Sequence, residues 1–413
     1  MMTVQRVEKH KIKPSNKYYA MLDNFCFLSK NLYNHANYIL RQEFINGHKA
    51  VPYRDLDKIL KSDEGYPDYR AMPTAQSAQQ VLRLLDQNWK SFFKSIKDWS
   101  KNKGKYTGKP KLPKYKKKGG KNILILTNQN AKLKEGALRF PKKFEGFELQ
   151  LNCCKKENFH AFNQVRFIPK QGYIVAEVVY SISICEAKTD NRRYCSIDLG
   201  IDNLAAVTTN AGHRAYIING RGLKSVNKHY NKQMAHYREV AKRMNGADYT
   251  KRMGKITDKR NQKINDYMHK ASRYIVEYCR ERKINTIVAG YNNDWKRGAK
   301  LNKNVNQSFH GIPMQRLIEM IQYKAQEAGI NVILTEESYT SGTSFIDGEK
   351  PDKMYYDKRR RIHRGLFNSN GGTKINADIN ASYQILKKVF PAAYANGIEG
   401  VVLHPVRVNA AFL

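Results

Sequence analysis

The chain has 413 residues, with 74 Lys and Arg against 36 Asp and Glu and a formal net charge of +38. A chain of this length buries a large core and is expected to divide into two or three domains. So large an excess of positive charge favours a polyanionic partner, and nucleic acid is the first candidate. No apolar run approaches the roughly 20 residues that span a bilayer, and the stretch MMTVQRVEKHKIKPS lacks the apolar core of a signal peptide. We therefore expect a cytoplasmic protein that does not enter a membrane.

The cysteines do not stand in a metal-binding pattern. Six are present, and no two of them form a C-x-x-C pair. A zinc ribbon needs two such pairs at suitable spacing. The sequence therefore predicts no zinc site made of cysteines.

The first hundred residues predict a short strand and then helices. Residues 4–13 alternate weakly between apolar and polar side chains, which is typical of a strand. Within residues 14–100, apolar side chains recur at three- and four-residue spacing, most clearly over residues 75–99. We expect the aromatic side chains of this pattern to lie in a helical core rather than to stack on bases.

A basic segment broken by Gly and Pro follows at residues 101–121, with the sequence KNKGKYTGKPKLPKYKKKGGK. Such a segment is usually solvated and flexible. Here tyrosines alternate with lysines, as they do in loops that nucleic acid orders. We therefore expect this segment to contact phosphates through Lys114, Tyr115, Lys116, Lys117 and Lys118.

Short strands separated by turns occupy residues 122–184. Together with the strand at 4–13, they predict a β-barrel-like module into which the helical residues 14–100 are inserted. The polar stretch 186–193 predicts a domain boundary near residue 190.

The second half of the chain has the pattern of an α/β domain. Residues 194–197 predict a strand that ends at Asp198, Gly200 allows a tight turn, and residues 204–209 predict a second strand of a hairpin. The further predicted elements are basic helices at 227–245 and 248–283, strands at 285–289 and 331–335, and helices at 313–328 and 378–389.

Acidic residues stand at the ends of these elements. Asp198 ends one strand, and Asp378 begins a helix. Glu336 and Glu337 follow another strand. Carboxylates that converge from such positions can hold the divalent cations of phosphodiester chemistry. The alternative for Asp198 is that it only ends its strand and bonds its own turn, and for Glu336 and Glu337 that both are solvated charges before a loop. The remaining acidic candidates are Asp294 and Asp347.

Several motifs stand in a fixed order along the chain. They are LPKYKKKGGKNILILTNQNAKL at 112–133, SIDLGIDNLAAVTT at 196–209, HKASRYIV at 269–276, TIVAGYNNDWK at 286–296, TEESYTSGTSF at 335–345, RRIHRGLF at 360–367 and INADINASYQI at 375–385. Together they resemble the OrfB/TnpB nucleases of insertion sequences, which are relatives of type V CRISPR effectors. The resemblance covers nearly the whole chain and is strongest from residue 194 onward.

The resemblance implies an RNase-H-like (RuvC) nuclease domain preceded by a wedge domain with a helical insertion. The RuvC domain, of split sequence and with long inserted helices, would occupy residues 191–413. The wedge-like β-barrel would comprise residues 1–13 and 101–190, and the helical recognition insertion residues 14–100. It further implies a guide RNA, double-stranded target DNA, and cleavage with Mg²⁺ or Mn²⁺ in a prokaryotic cytoplasm, at the nucleoid.

The sequence departs from the family pattern in two places. Many members carry a catalytic Glu after the strand TIVAG, where this chain has Gly290 and Tyr291. Many members also carry a four-cysteine zinc ribbon, which would begin near Gly342 and Thr343 and is absent here.

The missing Glu leaves two hypotheses open. The family includes nuclease-dead relatives, and it also includes members whose Glu has moved to a later strand. Glu336 and Glu337 stand after such a strand, and adjacent strand residues point to opposite faces, so that only one is expected to reach the metals. We expect Asp198, Glu337 and Asp378 to be the catalytic and metal-binding residues, with Glu336 as the alternative to Glu337.

The sequence therefore predicts an RNA-guided DNA endonuclease that cuts guide-matched DNA beside a short flanking motif. The alternative is a nuclease-dead, RNA-guided transcriptional repressor. Two further alternatives are a nonspecific basic nucleic-acid-binding protein and a strand-joining transposase. Within the nuclease domain, we expect Arg273, Arg361 and Arg364 to bind nucleic acid, although Arg361 and Arg364 are also consistent with an ordinary basic surface.

Overall fold

The chain forms two compact units, Met1–Ser183 and Ile184–Leu413. The computed structural model describes residues 2–48, 51–292, 307, 310–363, 365–394 and 403–412. Among the helices of these ranges, none combines the length and the apolar character that a membrane crossing requires.

The helices of the first unit follow the predicted apolar spacing. They are α1 (Tyr19–Ile45), α2 (Tyr53–Ser62), α3 (Asp68–Ala71) and α4 (Ala75–Lys101). A capping box begins α4, in which the Thr74 hydroxyl accepts from Ser77 N at 3.0 Å and Ser77 Oγ accepts from Thr74 N at 3.2 Å. Trp89 of α4 is buried and donates its indole N–H to Asn37 Oδ1 of α1 at 3.0 Å. The tryptophan at this position therefore belongs to the core.

The strands of the first unit form two sheets. Four of them pair in the order β1-β7-β6-β2, and β3, β4 and β5 pair in a second sheet. Closure of these strands into the expected barrel is not confirmed, because β1 and β2 stand at the two edges of the four-stranded sheet. The strands are β1 (Met2–Ile12), β2 (Leu124–Thr127), β3 (Lys132–Lys134), β4 (Ala137–Arg139), β5 (Glu148–Gln150), β6 (Phe159–Lys170) and β7 (Tyr173–Ile184).

The second unit is built on a six-stranded sheet of order β12-β11-β8-β9-β10-β15. Its strands are β8 (Tyr194–Leu199), β9 (Asn203–Thr209), β10 (Tyr216–Asn219), β11 (Thr286–Gly290), β12 (Asn331–Thr335) and β15 (Val406–Val408). The first three form an antiparallel meander, and β11 and β12 then add in parallel beside β8. This order is the RNase-H-like arrangement that the family resemblance predicted.

Helices cover both faces of this sheet. They are α5 (Arg221–Asn245), α6 (Lys251–Glu281), α7 (Met314–Glu327) and α8 (Ala377–Val389), and a short hairpin of β13 (Leu366–Asn368) and β14 (Lys374–Asn376) precedes α8. Ile197 of β8 packs in one core with apolar residues of α6 and α7. Val288 of β11 packs in another core with Ile385 of α8. Since β8 and β11 are buried on both faces, they read in the sequence as nearly continuous apolar runs.

A cluster of three buried hydroxyls fixes α8 to the sheet. Ser196 Oγ of β8 lies 2.7 Å from Thr208 Oγ1 of β9 and donates to the backbone oxygen of Ser382 on α8 at 2.7 Å. The Ser382 hydroxyl donates in return to the backbone oxygen of Ser196 at 3.1 Å. Because buried polar groups are costly unless they are satisfied, this cluster allows few relative positions of α8 and β8.

Candidate active site

Four carboxylates line a single cavity of about 620 Å³ at one edge of the six-stranded sheet. Those of Asp198, Glu337 and Asp378 are the three predicted acids, and the fourth, Asp202, pairs with Lys224. The parallel strands β8, β11 and β12 all end at this edge, with Ile197 paired to Ala289 and Gly290 paired to Thr335. In α/β sheets the carboxyl ends of parallel strands are the usual place for a ligand site.

Asp198 enters the cavity because its strand ends in a very tight turn. Asp198 pairs with Ala206 in the β8–β9 ladder, and Gly200 N donates to Leu204 O at 3.4 Å. A Cβ at position 200 would lie only 2.7 Å from the backbone oxygen of Asn203. The turn therefore requires the glycine that the sequence has there.

Asp378 lies in the first turn of α8 and is held by two donors. The side chain of Asn376 caps the helix, because its Oδ1 accepts from the N–H groups of Asp378 and Ile379 at 3.1 and 3.2 Å. Asn203 Nδ2 donates to Asp378 Oδ2 at 2.6 Å, and Arg361 Nη2 donates to Oδ1 at 3.0 Å. A carboxylate at this end of a helix is also favoured by the helix dipole.

The Glu337 carboxylate lies over Gly290, at the place where the family usually has its second acid. A Cβ at position 290 would be 2.5 Å from Glu337 Oε1 and 2.7 Å from Glu337 Cγ. It would also be 2.7 Å from Ile385 Cδ1. A side chain at position 290 would therefore displace the Glu337 carboxylate from its present place.

The other acidic candidates lie elsewhere. Glu336 is exposed and does not line the cavity, whereas its neighbour Glu337 does. Asp347 Oδ2 accepts from Asn370 N at 2.8 Å and does not line the cavity either. Asp294 lies outside the described residues.

Burial and the two neighbouring carboxylates all raise the pKa of Asp198. Burial raises the pKa of Asp198 well above its ordinary value, and the charges of Glu337 and Asp378 raise that pKa further. The nearby guanidinium of Arg361 acts in the opposite direction. A buried acid between two other acids stays ionised only if a cation compensates the charge. The cavity is therefore a site where positive charge is stabilised.

The carboxylate oxygens of Asp198, Glu337 and Asp378 are of the type that Mg²⁺ prefers, but they are too far apart to hold one ion in the present arrangement. Carboxylate oxygens are the usual protein ligands of Mg²⁺. Within the ranges that the structure describes, no three His, Cys, Asp or Glu side chains are grouped closely enough to hold a metal ion as they stand. Arg361 supplies positive charge at Asp378 in this arrangement, so the chemistry of the donor set fits a cation.

Sequence reasoning missed several polar residues of the cavity. Asn203 follows Asp198 closely in the motif SIDLGIDN, and that motif was the available signal for it. Arg221 and Arg407 also line the cavity. The motifs give no signal for these two arginines. Arg221 begins a helix, and Arg407 lies on the last strand, whose partner β10 is distant in the sequence.

The predicted nucleic-acid-binding residues of the first unit lie on an ordered segment. Three side chains of α1 hold its backbone: Asn37 donates to Pro113 O at 3.0 Å, Asn34 to Lys116 O at 2.9 Å and Lys30 to Lys118 O at 3.0 Å. This arrangement leaves four of the five predicted side chains exposed, and Lys116 half-buried. Their contact with phosphates stays a prediction. The exposed residues are Lys114, Tyr115, Lys117 and Lys118.

The three arginines predicted for the second unit differ in their surroundings. Arg361 reaches the cavity and pairs with Asp378. Arg273 is an exposed residue of α6. Arg364 lies outside the described residues.

Buried ionic contacts organise the segment in which the family usually has its zinc ribbon. Arg360 pairs with Glu349 through both nitrogens of its guanidinium, and both side chains are largely buried. Ser344 N and Asn370 Nδ2 donate to the same carboxylate at 2.7 and 3.2 Å. The residue that follows Arg360 is Arg361, so this ion pair fixes the loop that brings Arg361 to the cavity.

Two family profiles match the second half of the chain. The profile of the OrfB family of IS605 elements, described as a probable transposase, matches residues 174–296. The profile of the TNB domain of Cas12f1-like proteins matches residues 315–385.

Comparison with known proteins gives similar relatives over most of the chain. A TnpB-like protein, ORF457, of Acidianus two-tailed virus is 25% identical over 421 residues, covering 94% of this chain and 85% of that protein. A structure of a Cas12f1–sgRNA–target DNA complex matches with 15% identity and a TM-score of 0.36, covering 92% of this chain and 98% of that one. An AacC2c1–sgRNA binary complex matches with 11% identity and a TM-score of 0.35, covering 89% of this chain and 70% of that one.

The second unit thus defines a class: an RNase-H-like domain in which three carboxylates meet at the ends of parallel strands. The two profiles and the viral relative go further. They show that the chain is similar to TnpB and Cas12f1-like proteins.

The raised pKa of Asp198 gives a prediction for stability. The folded state holds the Asp198 proton more tightly than the unfolded state, so the free energy of unfolding falls as pH rises from the unfolded pKa to the folded one. In EDTA at neutral pH, Asp198→Asn should therefore be more stable than the unmodified chain in urea unfolding. Added Mg²⁺ should stabilise the unmodified chain more than the variant.

The matched control is Asp266→Asn, since Asp266 is an exposed residue of α6. This change should leave both the pH dependence and the Mg²⁺ effect as they are. Lower stability of Asp198→Asn in EDTA at neutral pH would contradict the assignment of a repulsive carboxylate cluster.

Proposed function

We propose that this chain is an RNA-guided DNA endonuclease that cuts guide-matched DNA beside a short flanking motif. Cleavage would be a metal-dependent hydrolysis of a phosphodiester bond in the cavity of Asp198, Glu337 and Asp378. The sequence of the target would be read by base pairing with the guide, while the protein grips the shape and backbone of the heteroduplex.

One observation carries this proposal: the Glu337 carboxylate occupies the space over Gly290. Without Glu337, only Asp198 and Asp378 would remain beside the Lys224-paired Asp202, as expected of a nuclease-dead relative. With Glu337 in that space, three acids apart from Asp202 are present, which is the number that two-metal phosphodiester chemistry uses. Geometry, not position in the sequence, decides whether an acid serves a site.

The proposed cofactor is Mg²⁺, with Mn²⁺ as a substitute, held by Asp198, Glu337 and Asp378. When bound, such ions supply Lewis-acid activation of water and compensate the charge that develops on the leaving oxygen. The charges of the three carboxylates would attract such ions, and the pKa of Asp198, raised by burial and then by the charges of Glu337 and Asp378, is consistent with that role.

The protein residues around the acids have defined tasks in this proposal. Asn203 holds one oxygen of Asp378 at 2.6 Å and keeps the other oriented toward the cavity. Arg361 neutralises Asp378 until substrate arrives and then transfers its hydrogen bonds to a phosphate oxygen of the DNA strand. A planar guanidinium suits this exchange, because carboxylate and phosphate present similar pairs of oxygens.

A guide RNA and double-stranded target DNA are the proposed partners. The formal net charge of +38 supports polyanionic partners. The exposed lysines held along α1 offer a row of phosphate contacts. The match to the TNB domain of Cas12f1-like proteins further supports assignment to a guided system.

A cleavage assay tests the proposal. The chain is expressed with its flanking genomic DNA, and the purified ribonucleoprotein receives a plasmid that matches the co-purified guide and carries a randomised flank. We expect Mg²⁺-dependent cutting, and we expect Asp198→Ala to reduce the rate by more than the roughly 10- to 100-fold that loss of an outer-shell partner costs. Guided binding should persist in the variant, because base pairing does not use the cavity.

The control for that variant is Asp266→Ala, which should cut at the unmodified rate. Retained cleavage in Asp198→Ala would contradict the site. Guided binding without cutting by the unmodified chain would instead support the repressor alternative.

The choice between the two adjacent acids gives a second prediction. Glu337→Gln removes a charge from the cavity and should reduce the cleavage rate more than a hundredfold, whereas Glu336→Gln changes an exposed side chain and should alter it less than about twofold. The measurement is the single-turnover rate at saturating Mg²⁺. Equal and full activity of both variants would mean that neither acid serves the metals.

A further inference from the structure

The last strand of the sheet, β15, places an arginine at the rim of the cavity. It runs parallel to β10 with Arg407 opposite Ile217, and Val406 N donates to Ala215 O at 3.1 Å. On the other side, Asn376 N donates to Leu403 O at 3.2 Å. Because Asn376 also caps the helix that carries Asp378, residues 403–408 are tied both to the sheet and to the catalytic helix.

Arg407 lines two adjoining cavities. One is the cavity of the three carboxylates, and the other, of about 320 Å³, is walled by Ile217, Leu366, His404 and Pro405. Gly365 and Asn376 also line both cavities. The two cavities therefore lie side by side at Gly365, Asn376 and Arg407.

The orientation of Arg407 follows from the alternation of side chains along a strand. Its neighbour Val408 packs against the core of the second unit, so Arg407 points away from that core and toward the cavities. The strand itself pairs through backbone atoms and does not need an arginine at this position. A β-branched residue such as the flanking valines would suit the strand better.

The second cavity has the size and chemistry for part of a single DNA strand. Its volume lies at the lower end of ordinary ligand sites, about 300 Å³, so that it accepts one nucleotide and not a duplex. Its apolar side chains, Ile217, Leu366 and Pro405, suit a sugar and a base, its polar side chains Asn376 and His404 can bond a base edge, and the Arg407 guanidinium suits a phosphate.

We propose that Arg407 binds the phosphate next to the scissile one, and that the second cavity receives the nucleotide between them. This inference rests on the proposed nuclease function, because it assumes that the scissile phosphate lies among Asp198, Glu337 and Asp378. Arg407 then fixes the path of the strand on one side of the cut, and Arg361 contacts the strand at the cut itself.

The test combines Arg407→Gln with neutral methylphosphonates placed singly along the target strand around the cut. The variant should slow single-turnover cleavage about tenfold, as loss of one charged hydrogen bond does. In the unmodified enzyme, a methylphosphonate at one phosphate beside the cut should cause a similar loss. In Arg407→Gln, the same methylphosphonate should add nothing, because the contact is already absent.

The control is Val406→Gln, a change in the same strand at a partly exposed side chain that lines neither cavity. It should cleave within about twofold of the unmodified rate, as surface changes usually do. The inference would be overturned if the rate loss from Arg407→Gln multiplied independently with the rate loss from every methylphosphonate. A merely structural role of Arg407 would produce that result.

A cross-linking measurement separates this inference from the nuclease proposal. The photoreactive residue p-benzoylphenylalanine is placed at position 407 in an Asp198→Ala background, and the guided complex is irradiated with matched DNA. A cross-link to the strand beside the cut that the unmodified chain makes supports the inference. Absence of cleavage by the unmodified chain would contradict the nuclease proposal and, with it, the inference. Cleavage by the unmodified chain without any cross-link from position 407 would overturn the inference and leave the nuclease proposal standing.

Discussion

The candidate site depends on one steric constraint, the mutual exclusion of a side chain at position 290 and the Glu337 carboxylate. Glycine ends β11 beside Asp198, and the space that a Cβ would fill is taken by Glu337 and the tip of Ile385. The register of the parallel strands allows Glu337 to reach this space, because Gly290 is paired with Thr335, two residues before Glu337. A carboxylate from the neighbouring strand therefore reaches the place where the family usually has its own.

Electrostatics then determine what the cavity can hold. Burial of Asp198 between two other acids is unfavourable without a compensating cation, which is why its pKa rises. Arg361 supplies part of that compensation, and the buried Glu349–Arg360 pair fixes the loop on which Arg361 stands. The hydroxyls of Ser196, Thr208 and Ser382 keep the acid-bearing strand and helix in register. The contacts around the site thus hold the acidic residues close together although their charges repel each other.

Local sequence patterns were sufficient to predict the α/β core, but they could not predict the tertiary contacts. The apolar runs of β8 and β11 and the helical pattern of α8 indicate the correct elements. The strand predicted at 331–335 agrees with the structure residue for residue. Short strands such as β10 and β15 have too few residues for a pattern, so the sixth strand and Arg407 were missed. The alternation of side chains predicted that only one of Glu336 and Glu337 reaches the site, and the SYTS turn that follows Glu337 favoured that residue. Only the structure shows why Gly290 matters to Glu337.

The most direct test moves the acid from position 337 to position 290, where the family usually has it. The background is Ile385→Val, which removes the Cδ1 atom that also crowds position 290. In it, cleavage is measured for Gly290→Glu, for Glu337→Gly and for the two changes together. Guided DNA binding is measured alongside to confirm that each variant folds. We predict that each single change abolishes cleavage and that the pair restores it at least about tenfold above either one. A pair no more active than the weaker single variant would contradict the claim that Glu337 occupies the functional place of the missing acid.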